Sequence, residues 1–309
     1  MRAWVLLWSV VLGTGCSLFG GKTAEAPKKE VKDVPYSARR GDGDIRKRLL
    51  VLPFLDSSTE RSKKVAEEAR KSLLRALSKT ERFVLISPQD FPRDLSTFVV
   101  NGDYDLEQIA KIGEGLGLAA VLEGKVLEIK ARRLGDEVGM IRKFKAQMDA
   151  SVRIRMTTIR NGREVLNEVR SSTVEATTTR FGDAKVGDAF LNEDPALVDE
   201  AVTKAFRGAV PNIVRAVEKL GWEGRIAQVQ GNRIFLNAGR LSGLNVGDLL
   251  KVTGAGQEIF DPETGDLIGE APGPMRGTLE LVSYFGKDGA IAVIHSGSGF
   301  RENDLVELY

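Results

Sequence analysis

Leu49 to Leu55 form a nearly continuous apolar run, the pattern of a buried strand. Pro53 inside it marks a strand end or a sheet edge, because proline donates nothing to a ladder. Val65, Ala69, Leu73, Leu74 and Leu77 then recur at helical spacing, with Ser58 or Thr59 upstream as a cap. Phe83 to Ile86 read as a second short strand. Leu106, Ile109, Ala110 and Ile112 share one face of a second helix, which Gly115 and Gly117 stop before a third strand opens at about Ala119. The cleanest periodicity follows: Phe144, Ala146, Met148, Ala150, Val152, Ile154 and Met156 alternate with polar neighbours. That alternation predicts a half-buried strand, and Asn161-Gly162 is a strong hairpin signal turning it back into residues 163–179. A third helix is expected from Pro195, with Asp194 as its cap and Pro211 kinking or splitting it.

Past Trp222 the pattern changes to short apolar runs at Ile226–Val229, Ile234–Leu236, Leu249–Val252, Thr278–Val282, Ala290–Ile294 and Leu305–Leu308, separated by Gly, Asn and Asp. Such spacing means a small all-β barrel or sandwich. Its turn residues are Gly243, Gly247 and Asp248 in one loop and Asp261, Pro262 and Gly265 in another. The whole is an α+β protein: a three-layer-like α/β domain with a long antiparallel hairpin, then a small all-β domain.

Charge divides the chain at the same place. Residues 48–221 carry 29 Lys and Arg against 26 Asp and Glu, whereas residues 222–309 carry 7 against 12 and hold 15 of the 33 glycines. The expected organisation is therefore 1–15 signal peptide, 16–47 tether, 48–221 α/β domain and 222–309 all-β domain. Neither half is basic enough for a nucleic-acid surface, so no nucleic-acid partner is expected.

The single cysteine, Cys16, excludes an internal disulfide, and with one histidine, His295, it cannot build a soft metal site. Before it stand Arg2, an apolar stretch from Ala3 to Leu12 and the small residues Gly13, Thr14 and Gly15, the layout of a secretory signal. Leu12-Gly13-Thr14-Gly15-Cys16 resembles the bacterial lipobox, with Gly13 where that pattern ordinarily has leucine. The resemblance implies that Cys16 carries the lipid. Ser17, where an inner-membrane retention signal would carry Asp, implies the outer membrane, facing the periplasm. The charged, Pro- and Gly-rich residues after it cannot bury a core and read as a flexible tether. A chain of that length reaches about 30 Å on average and about 90 Å if pulled straight.

"LLVLPFLDSST", "LSKTERFVLIS" and "IAKIGEGLGLAAVLEGKVLEI" resemble the family of the TolB amino-terminal domain, the curli secretion lipoprotein and the lipoprotein activators of penicillin-binding proteins, over roughly residues 47–220. Gly224 to Val306, with "GLNVGD" and "DPETGDLIG", resembles the carboxy-terminal domain of flagellar assembly protein T. These resemblances imply a non-catalytic periplasmic assembly or scaffold factor, an accessory of a ring-like complex such as the flagellar basal body. The partners implied are envelope proteins, flagellar ring or rod components among them, and further copies of the chain. Two other readings stand beside it: an oligomeric secretion lipoprotein whose 143–178 hairpin inserts in the outer membrane, and a regulator of a peptidoglycan synthase.

Sharper chemistry finds little support in the residues. His295 beside Ser296 and Ser298 lacks a G-x-S-x-G elbow, so an enzyme is not expected. The glycines of "GEGLGLAAVLEG" end a helix, the wrong polarity for cradling phosphate. Asp261 to Asp266 lack the spacing of a calcium loop. No cofactor and no metal are expected.

Overall fold

The computed structural model describes residues 45–136, 141–181 and 195–309. Cys16, the signal segment, most of the tether and the Asp194 cap lie outside these described residues. No described helix is long and apolar enough to cross a membrane.

The first part is built on a mixed six-stranded sheet. β1 (Lys47–Val51) lies between β3 (Phe83–Ile86) and β6 (Ala120–Asp136), parallel to both. β7 (Ile141–Thr158) and β8 (Glu164–Phe181) follow β6 as an antiparallel meander, and the two-residue β2 (Leu55–Asp56) pairs with β6. Pro53 sits in the break between β1 and β2, so it ends a central strand and does not mark an edge. The carbonyls exposed by that break are taken by Arg70 of helix α1 (Lys63–Ser78), whose Nη2 donates to Val51 O and whose Nε donates to Leu52 O, each at 3.0 Å.

Ser62 caps α1, accepting from Lys64 N at 3.3 Å, in place of the expected Ser58 or Thr59. Several hydroxyls upstream of the apolar stripe qualified; the one next to the first turn takes the role. Helix α2 (Leu106–Gly113) continues as a 3₁₀ turn and stops at Gly117 with φ 61°. Pro211 splits the third helix into α3 (Pro195–Gly208) and α4 (Val210–Glu218), since its missing N–H fits only a first turn.

Two apolar cores cover the sheet's faces. On one face α1, α3 and α4 pack Leu73, Leu77, Phe206 and Ile213 against Leu49, Leu122, Val152 and Ile154. On the other, α2 and its neighbouring loops place Ile109 and Phe98 against Leu50 and Val121. These are the three layers. Gly124 is needed here, because a Cβ would stand 2.6 Å from the Phe54 ring and 2.8 Å from the Phe206 ring, which stack at 4.3 Å between centroids.

The long hairpin lies chiefly under α3, not under the two earlier helices. Met148, Ala150, Val152, Ile154 and Met156 are buried beneath it, as the alternation requires, while Gln147, Ser151, Arg153 and Arg155 face the opposite side. β6 runs further than its apolar part, pairing with β7 as far as Asp136↔Lys143. A second antiparallel pair thus adjoins the first.

The second part is a closed barrel in the order β10-β15-β14-β11-β16-β9, comprising β9 (Glu223–Gln230), β10 (Arg233–Leu236), β11 (Leu249–Thr253), β14 (Met275–Phe285), β15 (Gly289–Gly297) and β16 (Leu305–Leu308). Each strand contains or overlaps one of the six apolar runs. Closure leaves the barrel without an open edge. Between β11 and β14 a separate hairpin, β12 (Gln257–Phe260) with β13 (Leu267–Ala271), stands off it. The barrel's core holds Trp222, Ile234, Leu250, Val252, Leu279, Ala292 and Val306, and also Ile45, from the other end of the described chain.

Candidate functional site

Residues 45–48, which composition assigns to the tether and its edge, form a strap across the joint between sheet and barrel. Ile45 is 3 % exposed within the barrel core. Arg46 N donates to Ser242 O at 3.0 Å, and the loop carrying Ser242 is pinned by Asp288, which accepts from Gly239 N, Ser242 N and Ser242 Oγ. Lys47 begins β1, yet its Nζ donates to Val217 O at 3.2 Å, to Glu218 O at 3.4 Å and to Leu220 O. That places an ammonium on the carbonyl end of α4, where the helix dipole favours positive charge. Arg48 Nη1 donates to Asn237 O of the barrel at 2.6 Å.

A second linkage comes from the β7–β8 turn. Residues 159–163 connect the strands, with Thr158 N bonded to Arg163 O at 2.9 Å. Asn161 Oδ1 accepts from Arg163 N at 3.2 Å and Gly162 has φ 61°. The loop buries Ile159 and turns Arg160 outward to the barrel, where its Nη1 meets Glu223 at 2.9 Å and Glu307 at 3.1 Å. Burial pushes the Glu223 carboxyl above its ordinary value, and Arg160 only partly offsets this. Burial also opposes the Arg160 charge, but Glu223 and Glu307 outweigh it and raise its pKa. The difference is one of exposure: the Glu223 side chain is 14 % exposed and that of Arg160 50 %.

Between this turn and the barrel lies a cleft of about 670 Å³, whose lining includes Ile268, Ala271 and Pro272. It is the place where groups from both parts converge, and we take it with the strap as the candidate site. Sequence reasoning did not find it. Arg160 and Glu307 are 147 residues apart, and nothing in either neighbourhood signals the other.

The expected turn residues lie in the connections between strands. Gly243, Gly247 and Gly265 have φ of 85°, 93° and 73°. Asp248 Oδ2 accepts from Asn245 N at 2.7 Å. Asp261 Oδ1 accepts from Glu263 N and Thr264 N at 2.8 and 3.1 Å, with Pro262 between, and these bonds hold its carboxyl below its usual value. That oxygen serves the hairpin's own backbone. Among the described residues no group of three or more His, Cys, Asp or Glu gathers as a metal site. Thr278 Oγ1 bonds both His295 Nδ1 at 2.9 Å and Ser296 Oγ at 2.7 Å, but Thr278 and Ser296 are 1 % and 4 % exposed, so the serine hydroxyl is closed to a substrate.

A further charged cluster lies on the sheet's α2 side. Glu123, 1 % exposed, accepts from Arg155 Nε at 3.1 Å and from Arg153 at 3.4 Å, while Asp103 accepts from Lys125 at 2.6 Å. Arg155 also donates to Tyr104 O at 3.1 Å. Burial, with Glu123 nearby, pushes the Tyr104 phenol up to about 12. Its acids and bases satisfy one another and tie β4 (Val99–Val100) and β5 (Asp103–Tyr104) to the sheet.

Fold and site define an α+β protein with a closed six-stranded barrel strapped to a mixed sheet. No family model and no curated protein matches the chain. Solved structures with some likeness to it include a hypothetical protein of Chlamydia trachomatis, at 16 % identity and TM-score 0.36, over 56 % of this chain and 98 % of that one. Another is lipoprotein GNA1162 of Neisseria meningitidis, at 19 % and TM-score 0.27, over 51 % and 96 %. A third is the LpoB carboxy-terminal domain of Salmonella enterica, at 14 % and TM-score 0.27, over 43 % and 87 %.

Proposed function

We propose that the chain is a non-catalytic lipoprotein, anchored through Cys16 in the outer membrane and acting in the periplasm as an assembly or scaffold factor. The observation that carries this reading is the strap. The segment that leads from the lipid-attachment cysteine enters the folded protein at the joint, with Ile45 in the barrel core and Lys47 on the end of α4. An anchor attached there holds the sheet and the barrel at the membrane as one body, and a tether keeps both at high local concentration near membrane-bound partners. The finer reading, an accessory of the flagellar rings, rests on the resemblance of residues 224–306. Self-association and other envelope proteins complete the proposed partners. A membrane-inserted hairpin is the weaker alternative, because α3 covers the apolar face of β7 and would have to leave it.

The test is membrane fractionation followed by crosslinking and co-purification from the native host, with wild type, Cys16→Ser and a deletion of residues 222–309. Wild type is expected to resist salt extraction from outer membranes, and Cys16→Ser to be exported and released. Loss of a ring or rod component with the barrel deletion supports the flagellar reading. Recovery of a peptidoglycan synthase or a secretion apparatus instead moves the assignment there. Salt-extractable wild type refutes the anchor.

A further inference from the structure

β8 is the last strand of the sheet: among the described residues, β7 pairs with one side of it and no strand pairs with the other. The hairpin settles which backbone groups face that open side. Ile159 N donates to Ala119 O on the β6 side and Thr158 N to Arg163 O on the β8 side, so the even residues of β7 bond to β8. Both register shifts along β7 put the extra residue in a neighbouring strand, so this alternation holds throughout β7. The β8 residues opposite those even positions, Leu166, Glu168, Arg170 and Ser172, are turned inward, and the N–H and C=O of Asn167, Val169 and Ser171 point outward. Lys204 agrees with this phase, its Nζ reaching the next outward carbonyl, Thr173 O, at 2.9 Å.

Two features bound one stretch of the open edge. At one end Val165 is a bulge, because Thr157 faces Glu164 while Met156 faces Leu166; at the other Lys204 occupies Thr173 O. Leu166 to Ser172 lie between, and their midpoint is Val169, 59 % exposed. The charges around that midpoint are self-complementary. An antiparallel second copy centred on Val169 sets Glu168 opposite the partner's Arg170 and Arg170 opposite the partner's Glu168, in the non-hydrogen-bonded positions where side chains stand closest. On the other face Val169 meets the partner's Val169, and Asn167 the partner's Ser171. Moving the centre by one residue sets Glu168 against the partner's Glu168 or Arg170 against the partner's Arg170, and parallel pairing in register opposes both like pairs. Glu168 and Arg170 are already held in place, 3.2 Å apart, with Asn212 Nδ2 donating to Glu168 Oε2 at 2.7 Å.

We propose that two copies of the chain join through β8, antiparallel about a two-fold axis at Val169, so that one sheet runs through both. The outward N–H and C=O groups of Asn167, Val169 and Ser171 then exchange hydrogen bonds with those of the partner's Ser171, the partner's Val169 and the partner's Asn167. A short edge contact of this kind is favoured by the high local concentration of chains tethered to one membrane. The inference rests on the reading that the chain self-associates, gives that contact its surface, and does not depend on the lipid.

The experiment uses the chain from residue 16 onward with Cys16→Ser, which leaves it without cysteine. Sedimentation equilibrium should show monomer exchanging with dimer. Val169→Lys, which places two ammoniums at the axis, should weaken the dimer about tenfold with the melting temperature unchanged. Glu168→Arg should weaken it too, and adding Arg170→Glu should restore it. Oxidation of introduced cysteines reads the register. Val169→Cys should give a disulfide-linked dimer, since opposed hydrogen-bonded residues have Cα atoms about 5.5 Å apart, within disulfide reach. Ser171→Cys alone should not, whereas Ser171→Cys mixed with Asn167→Cys should. Monomer at every concentration up to about 1 mM, the effective concentration of modules on short linkers, overturns the proposal. Dimers that Val169→Lys leaves unchanged, or equal crosslinking by Val169→Cys and Ser171→Cys, overturn it as well. If Val169→Lys lowers the melting temperature, the cysteine pattern decides. A monomer that still co-purifies with other envelope proteins sinks this contact and spares the scaffold reading.

Discussion

Removing the strap's apolar end should separate the barrel from the sheet without unfolding either. Ile45 is 3 % exposed and packs in the same core as Trp222, which is 2 % exposed. Truncating a buried isoleucine to alanine costs about 2–5 kcal/mol, depending on how far the site can collapse, so we expect about 2–3 kcal/mol for Ile45→Ala. Lys47→Met removes the ammonium from Val217, Glu218 and Leu220 carbonyls and should cost a further 1–3 kcal/mol or so, by leaving those groups unpaired. The chain carries its own reporter. Trp4 and Trp8 lie in the expected signal segment, so a chain expressed from Cys16→Ser onward has Trp222 alone, at the joint. In urea, Ile45→Ala should shift Trp222 emission to longer wavelength before the far-ultraviolet signal of the sheet and helices is lost, giving two transitions where wild type has one. Limited proteolysis should agree. Wild type should be cut between Lys22 and Asp44, and resist at Lys47 and at Lys219, whereas the variant should be cut at both. Coincident transitions in Ile45→Ala at the wild-type midpoint would refute the strap as the element that joins the two parts.

Two further outcomes follow from the joint and the hairpin. Glu223 has its pKa raised above the ordinary 4.5 by burial, so the folded state binds this proton more tightly than the unfolded chain does. Its contribution is full below about pH 4.5 and is lost as pH rises through the raised value; Glu223→Gln should flatten the fall in urea midpoint over that window, and an unchanged slope would contradict the assignment. Gly265→Val should meet no steric obstacle, since the space around it is open, but φ 73° costs a side-chain-bearing residue roughly 1–2 kcal/mol. The β12–β13 hairpin should loosen, seen as faster amide exchange at residues 257–271, while the barrel melts as before; loss of the barrel transition would show that the hairpin is part of its core.

What the linear chain determined was everything carried by short-range periodicity. The six apolar runs after Trp222 map onto the six barrel strands, because period-two alternation and the Gly, Asn and Asp between the runs are local constraints. The stripe from Val65 to Leu77 lies within α1, and Pro211 divides the third helix, since a missing N–H acts where it stands. Tertiary structure decided what pairs with what. β6 opens in an apolar run and continues through Lys130, Arg132 and Arg133, because backbone pairing with β7 depends on the neighbour's register and not on side-chain polarity. The choice of Ser62 as cap, and of α3 as the cover of the hairpin, depended on how the chain entered each element. Ile45 sits in a stretch too polar to fold by itself and is buried only because a barrel formed almost 180 residues later leaves room for it. Arg160, Glu223 and Glu307 meet for the same reason: charges separated this far in sequence attract one another only after the two cores have formed and excluded the water that would otherwise screen them.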